Sequence, residues 1–169
     1  DNPLPSGLCR LALRPSVASP VRVARSTMPP ALSRTTPSGV QPGDVEIAQV
    51  AINGAATITP PSGWALLDSR ASSTFLSESL YTHVAGSSEP ANNTFTLSVT
   101  VKAAGGIAAY AGVDPANPVN TSSFNVETTT SVTHTANTIT PTTGGTKLIQ
   151  VLSDKNALPG SPSGMSQAW

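Results

Sequence analysis

The side chains able to do acid–base, metal or nucleophilic chemistry are few and scattered. Among 169 residues there are two histidines, His83 and His134, one cysteine, Cys9, and nine carboxylates. Neither histidine stands in a metal-ligand or catalytic spacing, so each is read as a strand or surface residue. Cys9 lies among prolines, where no built pocket lowers a thiol pKa, which argues against a nucleophile. As the sole cysteine it also excludes an intrachain disulfide. Ser62 and Ser163 each sit in a Pro-Ser-Gly triplet and lack the Gly-x-Ser-x-Gly context of an exposed nucleophile. The acidic residues fall mostly beside Gly, Pro or Ser, and no pair stands out for glycoside hydrolysis. Asp114, Asn117 and Asn120, broken by Pro115 and Pro118, offer oxygens for Ca2+, but one carboxylate is short of what that ion takes, and an Asx-Pro turn is the preferred reading. No catalytic set, no metal and no cofactor is expected, and the chain is read as non-enzymatic.

Binding is the remaining class. Trp64, Tyr81 and Tyr110, with Trp169, are the residues able to stack on a sugar ring. Trp64 follows a tight turn and has Leu66 as its same-face neighbour, so core packing is preferred and glycan contact is the alternative. The net charge of zero conceals an asymmetry. Before residue 35, the five arginines Arg10, Arg14, Arg22, Arg25 and Arg34 against Asp1 give +4; beyond it, Arg70 and three lysines against eight carboxylates give −4. The arginines lack interleaved aromatics and the rest of the chain is acidic, which argues against nucleic acid. A basic segment and an acidic one predict attraction between copies, weakened by salt over a screening length of about 8 Å.

The elements that must position these residues read as strands. Charged residues are only 11% of the chain while Ser, Thr, Gly, Pro and Asn abound, a profile of short strands joined by many turns. No run approaches the roughly 18 to 20 apolar residues of a membrane-spanning helix. Residues 1–34 carry six prolines and read as an extended basic arm, in which Val21, Arg22, Val23, Ala24 and Arg25 alternate as one short strand. From residue 35 apolar segments recur between turn signals. Residues 44–53 are apolar on both alternating faces, which predicts a central strand covered on both sides. Residues 56–59, 64–69 and 75–84 follow. In residues 94–101, Phe95, Leu97, Val99 and Val101 face one way and threonines and serine the other, which predicts one wet face. Residues 105–113 read as a strand because of their paired glycines, and 124–127, 132–139 and 147–153 complete eight or nine strands. The expectation is a single all-β domain over 35–169, a two-sheet antiparallel sandwich of jelly-roll type, preceded by the arm.

An internal repeat supports that reading. Residues 43–64 overlay 144–165 at a constant offset, matching Gly43 with Gly144, Gln49 with Gln150, Val50 with Val151, and Pro61-Ser62-Gly63 with Pro162-Ser163-Gly164. Each copy reads as a long strand, a turn, and a Pro-Ser-Gly corner that turns a large apolar residue, Trp64 or Met165, into the core. The second copy stops at Trp169, where the first runs on through Leu66 to Asp68. An edge left open there predicts a slot that an arm from another chain can fill as an added strand.

The runs Gly-Asp-Val-Glu-Ile-Ala, Ile-Thr-Pro-Pro-Ser-Gly-Trp, Val-Ala-Gly-Ser-Ser-Glu-Pro, Ala-Ala-Gly-Gly-Ile-Ala-Ala-Tyr-Ala-Gly-Val-Asp and Pro-Ser-Gly-Met resemble modules of bacterial extracellular proteins and of phage structural or fibre proteins. The resemblance spans residues 43–165 and implies a β-sandwich without a catalytic set. With it, the expected function is a non-catalytic assembly subunit, extracellular, at a cell surface or in a virion. The arm residues Arg10, Arg14, Val21, Arg22, Val23, Arg25 and Arg34 would bridge neighbours in a homo-oligomer or polymer. The alternative is a glycan-binding module using Trp64, Tyr81 or Tyr110.

Overall fold

A computed structural model describes residues 6–13 and 18–19 as strand backbone, and residues 30–72, 75–127 and 134–154 with their side chains. The described residues form eleven strands and no helix: β1 (Ser6–Leu13), β2 (Ala18–Ser19), β3 (Ala31–Thr35), β4 (Val45–Ile52), β5 (Ile58–Thr59), β6 (Ala65–Ser72), β7 (Leu76–Val84), β8 (Asn92–Leu97), β9 (Ala103–Tyr110), β10 (Val119–Glu127) and β11 (Lys147–Ser153). Every pairing is antiparallel. The fold is all-β and a sandwich. Its central sheet runs β2-β9-β4-β7-β6, one cover is β3-β8-β5, and a further three-stranded sheet has the order β10-β1-β11.

Strand β4 explains the layering. Its sequence, Val-Glu-Ile-Ala-Gln-Val-Ala-Ile, has too little polar surface to meet water on either side, and all but one of its residues are buried. Because side chains alternate, Val45 and Ile47 join Leu80, Ala108, Tyr110, Val113, Ile149 and Val151 on one face. Ala48, Val50 and Ile52 join Leu32, Trp64, Tyr81, Phe95, Leu97, Ala103 and Ile107 on the other. The two faces thus pack against β11 and against β3-β8, as a doubly covered strand requires.

Strand β9 can lie this close to β4 because of Gly105. A Cβ there would meet the Gln49 carbonyl oxygen at 2.2 Å and Leu32 Cδ2 at 3.0 Å, so only hydrogen fits. The cover strand β8 shows the expected alternation, with Asn93, Phe95 and Leu97 inward and Asn92, Thr94 and Thr96 outward. It ends at Leu97, earlier than its pattern suggests. Ser98 turns away to exchange hydrogen bonds with Thr57, accepting on Oγ at 2.9 Å and donating its N–H to the Thr57 carbonyl at 3.0 Å, and Val99 is left exposed.

Three further expectations need correction. The domain begins before residue 35: Leu32 of β3 is wholly buried, and Arg34 Nε donates to the Gly105 carbonyl at 2.7 Å, so Arg34 anchors a core strand and is not part of an arm. Arg10 lies within a paired strand, β1. Arg14, Val21, Arg22, Val23 and Arg25 lie outside the described residues. Within the expected strand 132–139, residues 134–139 form none. They run beside β10 held by side-chain amides, Asn125 Nδ2 donating to the Thr135 carbonyl and Asn137 Nδ2 to the Phe124 carbonyl, both at 2.6 Å. Those amides occupy carbonyls that a backbone ladder would have used.

Candidate functional site

The main candidate is built where β4, β7 and the 85–91 loop meet. Glu46 and His83 are register partners on adjacent strands and therefore project side by side from one face of the central sheet. Glu89 comes from the loop after β7, where its carboxylate accepts the Gly86 N–H at 2.5 Å. Residues 61–64 supply the opposite wall. Gly63 takes φ +86°, the value a type II turn needs at its third position, and the Trp64 N–H returns to the Pro61 carbonyl at 3.3 Å. A side chain at Gly63 would also press on the His83 ring, 3.0 Å away.

This corner fixes the imidazole. His83 Nδ1 lies 2.9 Å from the Gly63 carbonyl, a contact that needs a proton on nitrogen, and Trp64 stacks on the ring at 5.2 Å between centroids and 23° between planes. Nε2 then points to Glu89, 3.1 and 3.2 Å from its two oxygens. Trp64 is held in turn by its Nε1, which donates to Asn93 Oδ1 at 3.0 Å; Asn93 Nδ2 donates to Thr36 Oγ1 at 3.0 Å, and that hydroxyl donates to the Pro90 carbonyl. The network joins the start of the domain to the loop that carries Glu89.

Glu46 is the exception in this network. It has no solvent exposure and neither carboxylate oxygen has a hydrogen-bond partner. Burial first, then the Glu89 and Asp44 charges, push its pKa up to about 7 against the opposing pull of His83. Burial lowers the His83 pKa, but the Gly63 carbonyl and the two glutamates outweigh it and the net direction is upward. Among the described residues Glu46, His83 and Glu89 are the one group of three metal-capable side chains, with ligand atoms within 4.8 Å of one another.

The opposite face of the central sheet carries a different glutamate. Glu78 accepts from Gln49 Nε2 at 2.9 Å, and the same amide reaches Ser153 Oγ at 2.9 Å and the Leu152 carbonyl at 3.2 Å, which ties β11 to the central sheet. Burial raises the Glu78 pKa to about 8, although Gln49 and Ser153 pull it down.

The third feature is the seat of β1. Residues Gly7 to Leu13 are paired on one side with β10 and on the other with β11, while β10 and β11 do not pair with each other. At the Ser6 end, His134 bridges the two outer strands: Nδ1 is 2.7 Å from Glu127, the last residue of β10, and Nε2 is 3.3 Å from Asp154, just after β11. At the other end Asn120 Nδ2 donates to Thr142 and Thr143 hydroxyls, both at 3.1 Å. At the Ser6 end side chains thus span the space that β1 fills with backbone.

Residues singled out as sugar or cation ligands are placed apart. Trp64 and Tyr81 are buried in one core, Tyr110 in the other, so the three share no platform. Tyr81 also lines an open cleft of about 470 Å3, walled by Ser69, Ser77, Ser79 and Ser98 with Leu66 at its side. Asp114 accepts the Ala116 N–H at 3.0 Å as an Asx turn does, and Asn120 is engaged with Thr142 and Thr143. Sequence reasoning missed Glu46, Glu89 and the partners of both histidines. The one signal for them was a carboxylate, Glu46, inside a strand apolar on both faces.

Compared with family models, with curated proteins and with solved structures, the chain matches none.

Proposed function

We propose that the chain is a non-catalytic assembly module in which β1 of one copy completes the β10-β1-β11 sheet of the next. The observation that carries this reading is the two-sided seat of β1. Two strands that lack each other as partners are joined solely through it in the sheet order. An element paired to a slot by backbone hydrogen bonds makes the same bonds in its own slot or in a neighbour's, so exchange between copies costs little beyond association. Exchange moves β1 together with β2, which pairs with β9 of the central sheet, and is favoured by concentration.

Two further features favour this reading. The Glu127–His134–Asp154 bridge holds the end of β10 to the end of β11 beside the Ser6 end of the seat, which keeps a slot shaped for an incoming strand. The charge division, +3 over residues 1–29 (four arginines against Asp1) and −3 beyond (five cations against eight carboxylates), draws a basic segment toward an acidic neighbour. The resemblance to extracellular and phage structural modules suggests a filament, a cell surface or a virion as the setting.

The test is light scattering with electron microscopy on the whole chain and on a form lacking residues 1–29, at low and high salt. Closed oligomers or polymers of the whole chain that vanish on truncation are expected. Monomers of both forms at every concentration would overturn the proposal.

A further inference from the structure

We propose that Glu46, His83 and Glu89 form a binding site for one divalent metal ion, Zn2+ by the chemistry of its ligands, with a water completing the set. The argument starts from His83. Its Nδ1 is committed to the Gly63 carbonyl at 2.9 Å, which leaves Nε2 facing the Glu89 carboxylate at 3.1 and 3.2 Å; on losing its proton that nitrogen offers a lone pair to a cation. A ring held through one nitrogen by a backbone carbonyl and offering the other is how metal-ligating histidines are oriented.

Glu46 supplies the second, independent observation. Its carboxylate is wholly buried and both oxygens lack any donor, although the side chain reaches into the cluster. An unsatisfied buried carboxylate is costly, and a cation between it and Nε2 removes that cost. Around a tetrahedral zinc with ligands at about 2.0–2.2 Å, neighbouring ligand atoms lie roughly 3.4 Å apart. The Nε2 to Glu89 distances of 3.1 and 3.2 Å already match, and the widest separation in the group, within 4.8 Å, closes by side-chain rotation.

The ligand set selects the ion. One imidazole nitrogen and two carboxylates suit zinc; a thiolate-seeking Cu(I) finds no sulfur in this set, and Ca2+ takes six to eight oxygens. The setting is rigid: Glu46 and His83 sit on paired central strands, Trp64 shields one face of the ring, and Glu89 is fixed by the Gly86 N–H. The ion would pin the 85–91 loop to the sheet. This site lies on the side of the central sheet opposite the β1 seat, and its existence is independent of the assembly reading.

The experiment uses the untagged whole chain, stripped with a chelator and titrated with Zn2+ alone by calorimetry, with Co2+ as a spectroscopic stand-in. Binding of one ion per chain is expected, with the intense visible bands of a four-coordinate Co2+ site and a rise in melting temperature. Glu46→Gln and Glu89→Gln should each weaken binding at least tenfold, and His134→Gln should leave it unchanged. Glu89 lies on a loop, so its variant tests the site even if Glu46→Gln fails to fold. No stoichiometric binding, binding that survives Glu89→Gln, or binding lost through His134→Gln would each overturn the proposal.

Discussion

On one side of the central sheet the cover β3-β8-β5 is assembled from residues 31–97, and its apolar residues Leu32, Phe95 and Leu97 are almost wholly buried. On the other side the sheet β10-β1-β11 takes its middle strand from the opposite end of the chain, and its outer strands have no ladder without it. The apolar content also differs. β10 is half-buried almost throughout, and β11 alternates between buried and half-buried or exposed residues, with Leu148 42% exposed. One cover is assembled from neighbouring stretches of chain; the other also packs, through Ile149 and Val151, but its outer strands are joined only by a strand from the far end of the chain. A cover of the second kind is suited to exchange, because what it lacks is supplied by hydrogen bonds that any copy of β1 can make.

The largest expected effect comes from removing residues 1–29. Amides of β10 and β11 should lose hydrogen-exchange protection by orders of magnitude while those of β8 keep theirs. Each buried backbone group left unpaired costs about 1–3 kcal/mol, and an eight-residue strand serves two neighbours. Uniform loss over both covers would break the comparison. Next, Phe95→Ala removes the largest wholly buried side chain among the described residues and should cost about 3–5 kcal/mol in urea unfolding, with the protection of the β4 amides falling with it. Gly105→Ala should cost about 1–3 kcal/mol, since its methyl must push β9 away from the Gln49 carbonyl and from Leu32; a neutral result would show that the two strands can separate without loss.

The smallest effect is a pH slope on the β11 side. Glu78 holds its proton up to about pH 8 in the folded chain and releases it near 4.5 when unfolded. Its contribution is therefore complete below about pH 4.5 and declines as pH rises through 8, by at most about 1.4 kcal/mol per pH unit. Glu46, pushed up to about 7, adds a slope of the same sign at lower pH, so Glu78 is read most cleanly between pH 7 and 8. Glu78→Gln should flatten stability in that window. An unchanged slope would place the titrating group elsewhere.

Much of the central layer was legible in the sequence. A strand apolar on both faces, residues 44–53, is the doubly covered β4, and the segment 147–153 matches β11. The Pro-Ser-Gly-Trp corner turns Trp64 into the core as read, because positive φ at Gly63 is what the turn demands. Strands β1 and β3 were hidden by the prolines around them: Pro30 directly precedes β3, where its ring removes no ladder donor from the strand itself. The Glu46–His83–Glu89 cluster carries no spacing signal, since the β4–β7 register and a loop beyond it bring the three together. What sequence offered was the misfit of a glutamate between Val45 and Ile47.

Strand exchange has a direct chemical test, because Cys9 is the one cysteine and stands opposite Val151 in the β1–β11 register. Directly opposed residues of antiparallel strands lie within the Cα separation of a disulfide, about 4.4–6.8 Å. The measurement is a non-reducing gel of the Val151→Cys variant, oxidised at assembling concentration. The account predicts covalent dimers and higher multimers that collapse to monomer on reduction. A cross-linked monomer alone, or no cross-link at all, would contradict it.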